Sequence, residues 1–170
     1  MGVIIMTKQR QFLIPAVNLF GQGVSNQVGV KLKELGSKRA LLVTDAGLHG
    51  LGMSEEIATI IRDAGVEVVI FPKAEPNPTD KNVVEGAALF KAEKCDALVS
   101  LGGGSSHDAT KGIGLIVSNG GKISDYQTKN AEQPSVTHIA ITTTAGTGSE
   151  ATELASSEGR RVGEEGEDRG

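Results

Sequence analysis

Ala97-Leu98-Val99-Ser100-Leu101-Gly102-Gly103-Gly104-Ser105-Ser106-His107-Asp108 decides the fold of this chain. The first five residues form a continuous, mostly apolar run, the pattern of a strand covered on both faces. Three glycines follow, and a helix is expected from Ser105 to Val117. Upstream, Arg39 to Thr44 contains a second such run, Ala-Leu-Leu-Val, ending at Asp45. Between the two strands the spacing predicts a helix from Ser54, as cap, to Ala64 and a strand from Val66 to Phe71. A loop from Pro72 to Pro78 and a helix from Thr79 or Asp80 to about Glu93 follow. A further helix is expected from Val24 to Leu35, stopped by Gly36, and a strand from His138 to Thr143. Gln11 to Pro15 reads as a short edge strand, and Ser118 to Thr137 as a polar excursion. Strand and helix alternate at βαβ spacing. The fold class is α/β: a Rossmann-like, open and mostly parallel sheet with helices on both faces.

The glycines between Leu101 and Ser105 expose backbone N–H groups at the start of a helix. Its positive end favours phosphate or pyrophosphate. The pattern is neither G-x-G-x-x-G nor a P-loop, because Lys111 is followed by Gly112. Taken alone, it also fits a tight turn capped by Ser105 or Ser106. Thr142-Thr143-Thr144-Ala145-Gly146-Thr147-Gly148-Ser149-Glu150 follows another apolar strand, and its hydroxyls suit ribose, phosphate or amide groups. Asp45 at a strand end suits a ribose 2′-OH and would repel a 2′-phosphate; its other reading is a turn or cap residue. Asn77, between Pro76 and Pro78, could face the same crevice. The three histidines, His49, His107 and His138, show no metal-ligand spacing, and Cys95 reads as a buried, inert thiol. No catalytic residue and no metal ligand can be named from these residues.

Composition narrows the class. The chain has 170 residues, 38% hydrophobic and 22% charged, with a net charge of −4. That balance gives no electrostatic footprint for nucleic acid or an anionic membrane. No apolar run approaches the ~18 residues of a spanning helix. One cysteine and no signal-like start favour the cytoplasm. The 23 glycines sit mostly between apolar runs rather than in low-complexity sequence. Residues 156–170 differ: eight charges and four glycines accompany one large apolar residue, Val162. Such a segment is expected to be disordered, and it has the look of a shifted frame or a vector-derived tail. The expected domain is 1–155.

Gly102-Gly103-Gly104-Ser105-Ser106-His107-Asp108-Ala109-Thr110-Lys111, taken with Thr143-Thr144-Ala145-Gly146-Thr147-Gly148-Ser149-Glu150, resembles the iron-containing (group III) alcohol dehydrogenases. The context Val43-Thr44-Asp45, Phe71-Pro72-Lys73-Ala74 and Cys95 to Ser100 looks like their NAD-dependent methanol dehydrogenase branch. The likeness runs from about Arg10 to Ala155. It implies that Gly103, Gly104, Ser105 and Asp108 line the pyrophosphate and nicotinamide region of NAD. It assigns Asp45 to the adenosine ribose, and Asn77, Thr143, Thr144, Thr147 and Thr152 to further cofactor contacts. It implies oxidation of a primary alcohol to an aldehyde, with a small alcohol as partner and homo-oligomerisation left open. The family's iron or other divalent ion belongs to a C-terminal helical domain that this chain is expected to lack. The chain alone is then expected to be nearly inactive. The alternatives are a non-catalytic nucleotide-binding fragment, or a sister enzyme acting on glycerol or lactaldehyde.

Overall fold

The computed structural model describes residues 23–76, 80–127, 133 and 135–143. The edge strand expected at Gln11 to Pro15 and the tail from Ser156 lie outside them. So do Asn77, Thr144, Thr147 and Thr152.

Four parallel strands form one sheet: β1 (Arg39–Asp45), β2 (Glu67–Ala74), β3 (Ala97–Gly102) and β4 (Thr137–Thr142). The spatial order is β2-β1-β3-β4. Helices α1 (Val28–Glu34) and α3 (Met53–Asp63) cover one face, and α4 (Asp80–Ala92) and α5 (Gly104–Asn119) the other. Two cores result. Leu41, Val43 and Leu98 point to the α4–α5 side, whereas Ala40, Leu42, Val99 and Leu101 point to the α1–α3 side. The alternation is the two-residue period of a strand, and burial on both faces is why β1 and β3 read as unbroken apolar runs.

The amphipathic pattern of α3 sets its orientation: Ser54, Ile57, Ala58 and Ile61 are buried at the i, i+3, i+4, i+7 spacing. Ser54 was expected to cap this helix. It lies inside the first turn instead, with its hydroxyl 2.7 Å from Nδ1 of His49. Gly52, at φ 81°, takes the cap position. The sequence reading also missed α2 (Ala46–Gly50), a five-residue turn of helix too short to show a period. Strand β2 runs three residues past Phe71 and includes Pro72. A proline fits there because, among the described residues, β2 is the outer strand of the sheet, and the register against β1 shifts between Val43 and Asp45. Helix α5 continues through Asn119, and a 3₁₀ turn follows at Ile123–Gln127, so the expected polar excursion is partly helical.

At the sheet's N-terminal edge, Asp96 joins the two central strands. Its carboxylate accepts from the N–H groups of Lys38 and Arg39 at 2.8 to 3.2 Å. Its own N–H donates to the Arg39 carbonyl at 2.8 Å. Cys95, beside it, is buried, and that burial pushes its thiol up to about 11. A thiol so placed is inert at neutral pH, as the sequence reading has it.

Candidate functional site

The strand order turns back on itself between β1 and β3. From β1 the chain moves outward to β2; from β3 it moves the other way, to β4. Loops leaving two such strands diverge, and the crevice between them is where ligands bind in open α/β sheets. The two loops are those at Asp45 and at Gly102 to Ser105.

After β3 the chain turns at Gly102, whose φ of 142° is glycine territory. A Cβ there would stand 2.5 Å from the Ser106 hydroxyl. Gly103 is the N-cap of α5 and has no side chain with which to cap it. The helix therefore begins one residue earlier than expected, and neither Ser105 nor Ser106 serves as its cap. Ser106 Oγ is buried with no partner among the described residues, as is Thr44 Oγ1 at the end of β1. Buried hydroxyls normally find a hydrogen bond. An orphaned hydroxyl beneath a glycine loop, at a helix N-terminus, is a fit for an anionic ligand such as a pyrophosphate. Gly103, Gly104 and Ser105 are partly exposed at this turn, and Asp108 is buried one turn into α5.

Asp45 stands across the crevice. One carboxylate oxygen accepts from the Leu48 N–H at 2.9 Å, so the residue caps α2. The cap and ribose readings are compatible: the hydrogen bond uses Oδ1 and fixes where the half-buried carboxylate points. Thr143 is brought to the same end, because its N–H donates to the Gly102 carbonyl at 2.9 Å.

The sequence reading assigned no function to His107. It is fully buried, with Nδ1 2.7 Å from Ser100 Oγ and Nε2 3.3 Å from Thr142 Oγ1. Ser100 Oγ also lies 2.8 Å from Nε2 of His138. One signal was available: Ser100 is the lone polar residue inside an otherwise apolar strand. Among the described residues no group of three or more His, Cys, Asp or Glu stands close enough to hold a metal ion. No helix among them is long and apolar enough to cross a membrane.

Burial pushes His138 down to about 4, with His107 and Lys111 adding to the effect. Between pH 6.5 and 4 the unfolded chain binds a proton at this ring and the folded chain does not. The contribution to stability is full above about pH 6.5 and is lost as pH falls through about 4. The shift is worth about 2 kcal/mol once the ring's partial exposure is allowed for. Urea unfolding at pH 7 and pH 4.5 should show the unaltered chain losing that much more stability than His138→Gln. Equal losses in both proteins would refute the assignment.

Residues 15–161 match the family model described as iron-containing alcohol dehydrogenase. The chain belongs to that family. Among iron-containing alcohol dehydrogenases it is 59% identical to the NAD-dependent methanol dehydrogenase of Bacillus methanolicus, over 85% of this chain and 38% of the relative. It is 44% identical to the 1,3-propanediol dehydrogenase of Citrobacter freundii, over 83% and 37% of the two chains. The crystal structure of a 1,3-propanediol oxidoreductase superposes with a TM-score of 0.78 at 43% identity, covering 85% of this chain and 38% of that one. A sulfoacetaldehyde reductase from Bifidobacterium kashiwanohense, solved in complex with NAD+, superposes at 0.76 with 28% identity, covering 86% and 39%. The chain thus spans well under half the length of the relatives it matches, and its likeness is to their N-terminal part. The α/β class and the parallel sheet follow the sequence reading.

Proposed function

We propose that this chain is the NAD-binding part of an alcohol dehydrogenase that oxidises primary alcohols to aldehydes. The observation that carries the reading is the Gly102 to Ser105 turn at the β1–β3 switch point, with the orphaned Ser106 hydroxyl beneath it. Gly103, Gly104, Ser105 and the N-terminus of α5 would hold the pyrophosphate. Asp108, one turn further into α5, would line the nicotinamide side, and Thr143 would contact the cofactor beside the Gly102 carbonyl. Asp45 would accept from the adenosine ribose through the oxygen that Leu48 does not use. Asn77, Thr144, Thr147 and Thr152, outside the described residues, complete the proposed contacts. NAD, when bound, supplies the hydride acceptor. The substrate is a small alcohol, and the setting is the cytoplasm.

Titration with NAD and NADP tests the cofactor assignment. The unaltered chain should prefer NAD, and Asp45→Gly should reduce that preference about tenfold, the size of one charge-assisted hydrogen bond. An unchanged ratio removes Asp45 from the ribose site, and no binding of either nucleotide removes the reading. Alcohol-dependent NADH formation, followed by absorbance with metal supplied, separates the dehydrogenase from a purely nucleotide-binding unit.

A further inference from the structure

The cofactor contacts proposed above leave unused a buried polar chain that ends at the crevice. Leu98 pairs with His138, Ser100 with Ala140 and Gly102 with Thr142. Alternate residues of a strand share a face, so Ser100, His138 and Thr142 lie on one side of the sheet. It is the side that α5 covers, because His107 reaches both Ser100 and Thr142. The sequence of contacts is His138 Nε2, Ser100 Oγ, His107 Nδ1, then His107 Nε2 to Thr142 Oγ1. Ser100 and His107 have no exposed surface, whereas Thr142 is exposed at the C-terminal end of β4. The chain therefore leads from the interior to the ligand end of the sheet.

Its protons are constrained by counting. The Ser100 hydroxyl has one proton, and a neutral imidazole has one N–H and one accepting nitrogen. With both rings neutral and the Ser100 proton donated within the chain, the hydrogen bonds all run one way or all run the other. In the first order Thr142 donates to His107, His107 to Ser100, and Ser100 to His138. In the second, His138 donates through Nε2 to Ser100, Ser100 to Nδ1 of His107, and Nε2 of His107 to Thr142. Only the second order leaves the Thr142 proton for a group outside the chain. The residues that act on the His138 ring are His107 and Lys111, both of α5, and both oppose a positive charge on it.

We propose that His107 is a positioning residue that sets the Thr142 hydroxyl as a hydrogen-bond donor to an anionic oxygen in the crevice. The proposal rests on the dinucleotide reading above, in which that oxygen belongs to the bound cofactor. Thr142 is placed for it: it pairs with Gly102 of the turn, and its neighbour Thr143 donates to the Gly102 carbonyl. Donation to a charged oxygen is the stronger bond, so a bound anion selects the second order.

The test uses the 170-residue chain with ¹⁵N-labelled histidine, read by NMR at pH 7.5 with NAD as the probe. In the saturated chain both His107 and His138 should carry their proton on Nε2. Thr142→Val, at an exposed position, should weaken NAD binding about tenfold. His107→Leu should cost as much, and the double variant should cost no more than either single one, because both remove the same contact. His107→Gln, whose amide can accept from Ser100 and donate to Thr142, should bind within about threefold of the unaltered chain. NAD bound with either ring protonated on Nδ1, or with undiminished affinity in Thr142→Val, overturns the proposal and leaves the dinucleotide reading standing. Failure of the unaltered chain to bind NAD overturns both.

Discussion

Replacing Gly102 with valine is expected to weaken NAD binding by more than a hundredfold while the sheet stays folded. The backbone there, at φ 142°, lies in a region open essentially to glycine, and forcing another residue into it costs about 2 kcal/mol. The added Cβ would also stand 2.5 Å from Ser106 Oγ and 3.3 Å from a methyl of Leu48. Rotating those side-chain ends leaves the Ser106 Cβ 3.1 Å away and the φ strain unrelieved, so the turn must shift, which displaces the N-terminus of α5 from the crevice. About 2.7 kcal/mol of lost binding is a hundredfold in Kd. Calorimetric titration, with circular dichroism to show that the fold persists, measures the effect. Unchanged affinity in a folded variant would mean that this turn does not hold the ligand.

The largest expected loss of stability lies on the opposite face. Gly29 of α1 is buried where that helix meets α3. A Cβ on it would be 2.6 Å from the Ile60 carbonyl oxygen and 2.7 Å from the Ala64 Cβ. Neither atom is the free end of a flexible side chain, so the helices must separate. Gly29→Val should lower stability by about 3 kcal/mol, in the upper range for overpacking, and the melting temperature by about 10 °C. Because α1 and α3 lie across the sheet from α5, the folded variant should retain its NAD affinity. A melting temperature within 2 °C of the unaltered chain's would show that α1 does not pack on α3 in this way.

The sheet was legible in the sequence because β1 and β3 are buried on both sides, and burial on both sides leaves an unbroken apolar run. The glycine turn after β3 was legible because a change from apolar strand to three glycines has few structural uses. What escaped the sequence depends on chain segments far apart. The Ser54 hydroxyl suggested a cap, but a buried hydroxyl needs a partner, and His49 supplied one across a turn of helix that has no period to detect. Pro72 suggested a loop, yet the outer place of β2 in this sheet makes a missing N–H harmless. His107 offered no ligand spacing because its partners, Ser100 and Thr142, come from two different strands. Asp45 was half legible: of its two readings, the structure shows the cap, through the bond that one carboxylate oxygen accepts from Leu48.

The Asp96 clasp bears on the order in which the chain folds. It joins residues 58 and 57 positions apart, whereas the Arg39–Glu67 pair between β1 and β2 closes only 28. Doubling a loop costs only about 0.6 kcal/mol of closure entropy, so the wider connection is thermodynamically cheap. Its effect is kinetic, because distant contacts return nothing until the loop between them has closed. From sequence separation, the β1–α3–β2 half is expected to assemble first from neighbouring segments, with β3 docking later. The seam it makes with β1 is the least local junction in the sheet, and its far end is the crevice. Asp96 lies at the opposite end of that seam, so the part of the crevice wall that forms late is anchored at its base before any ligand reaches its mouth.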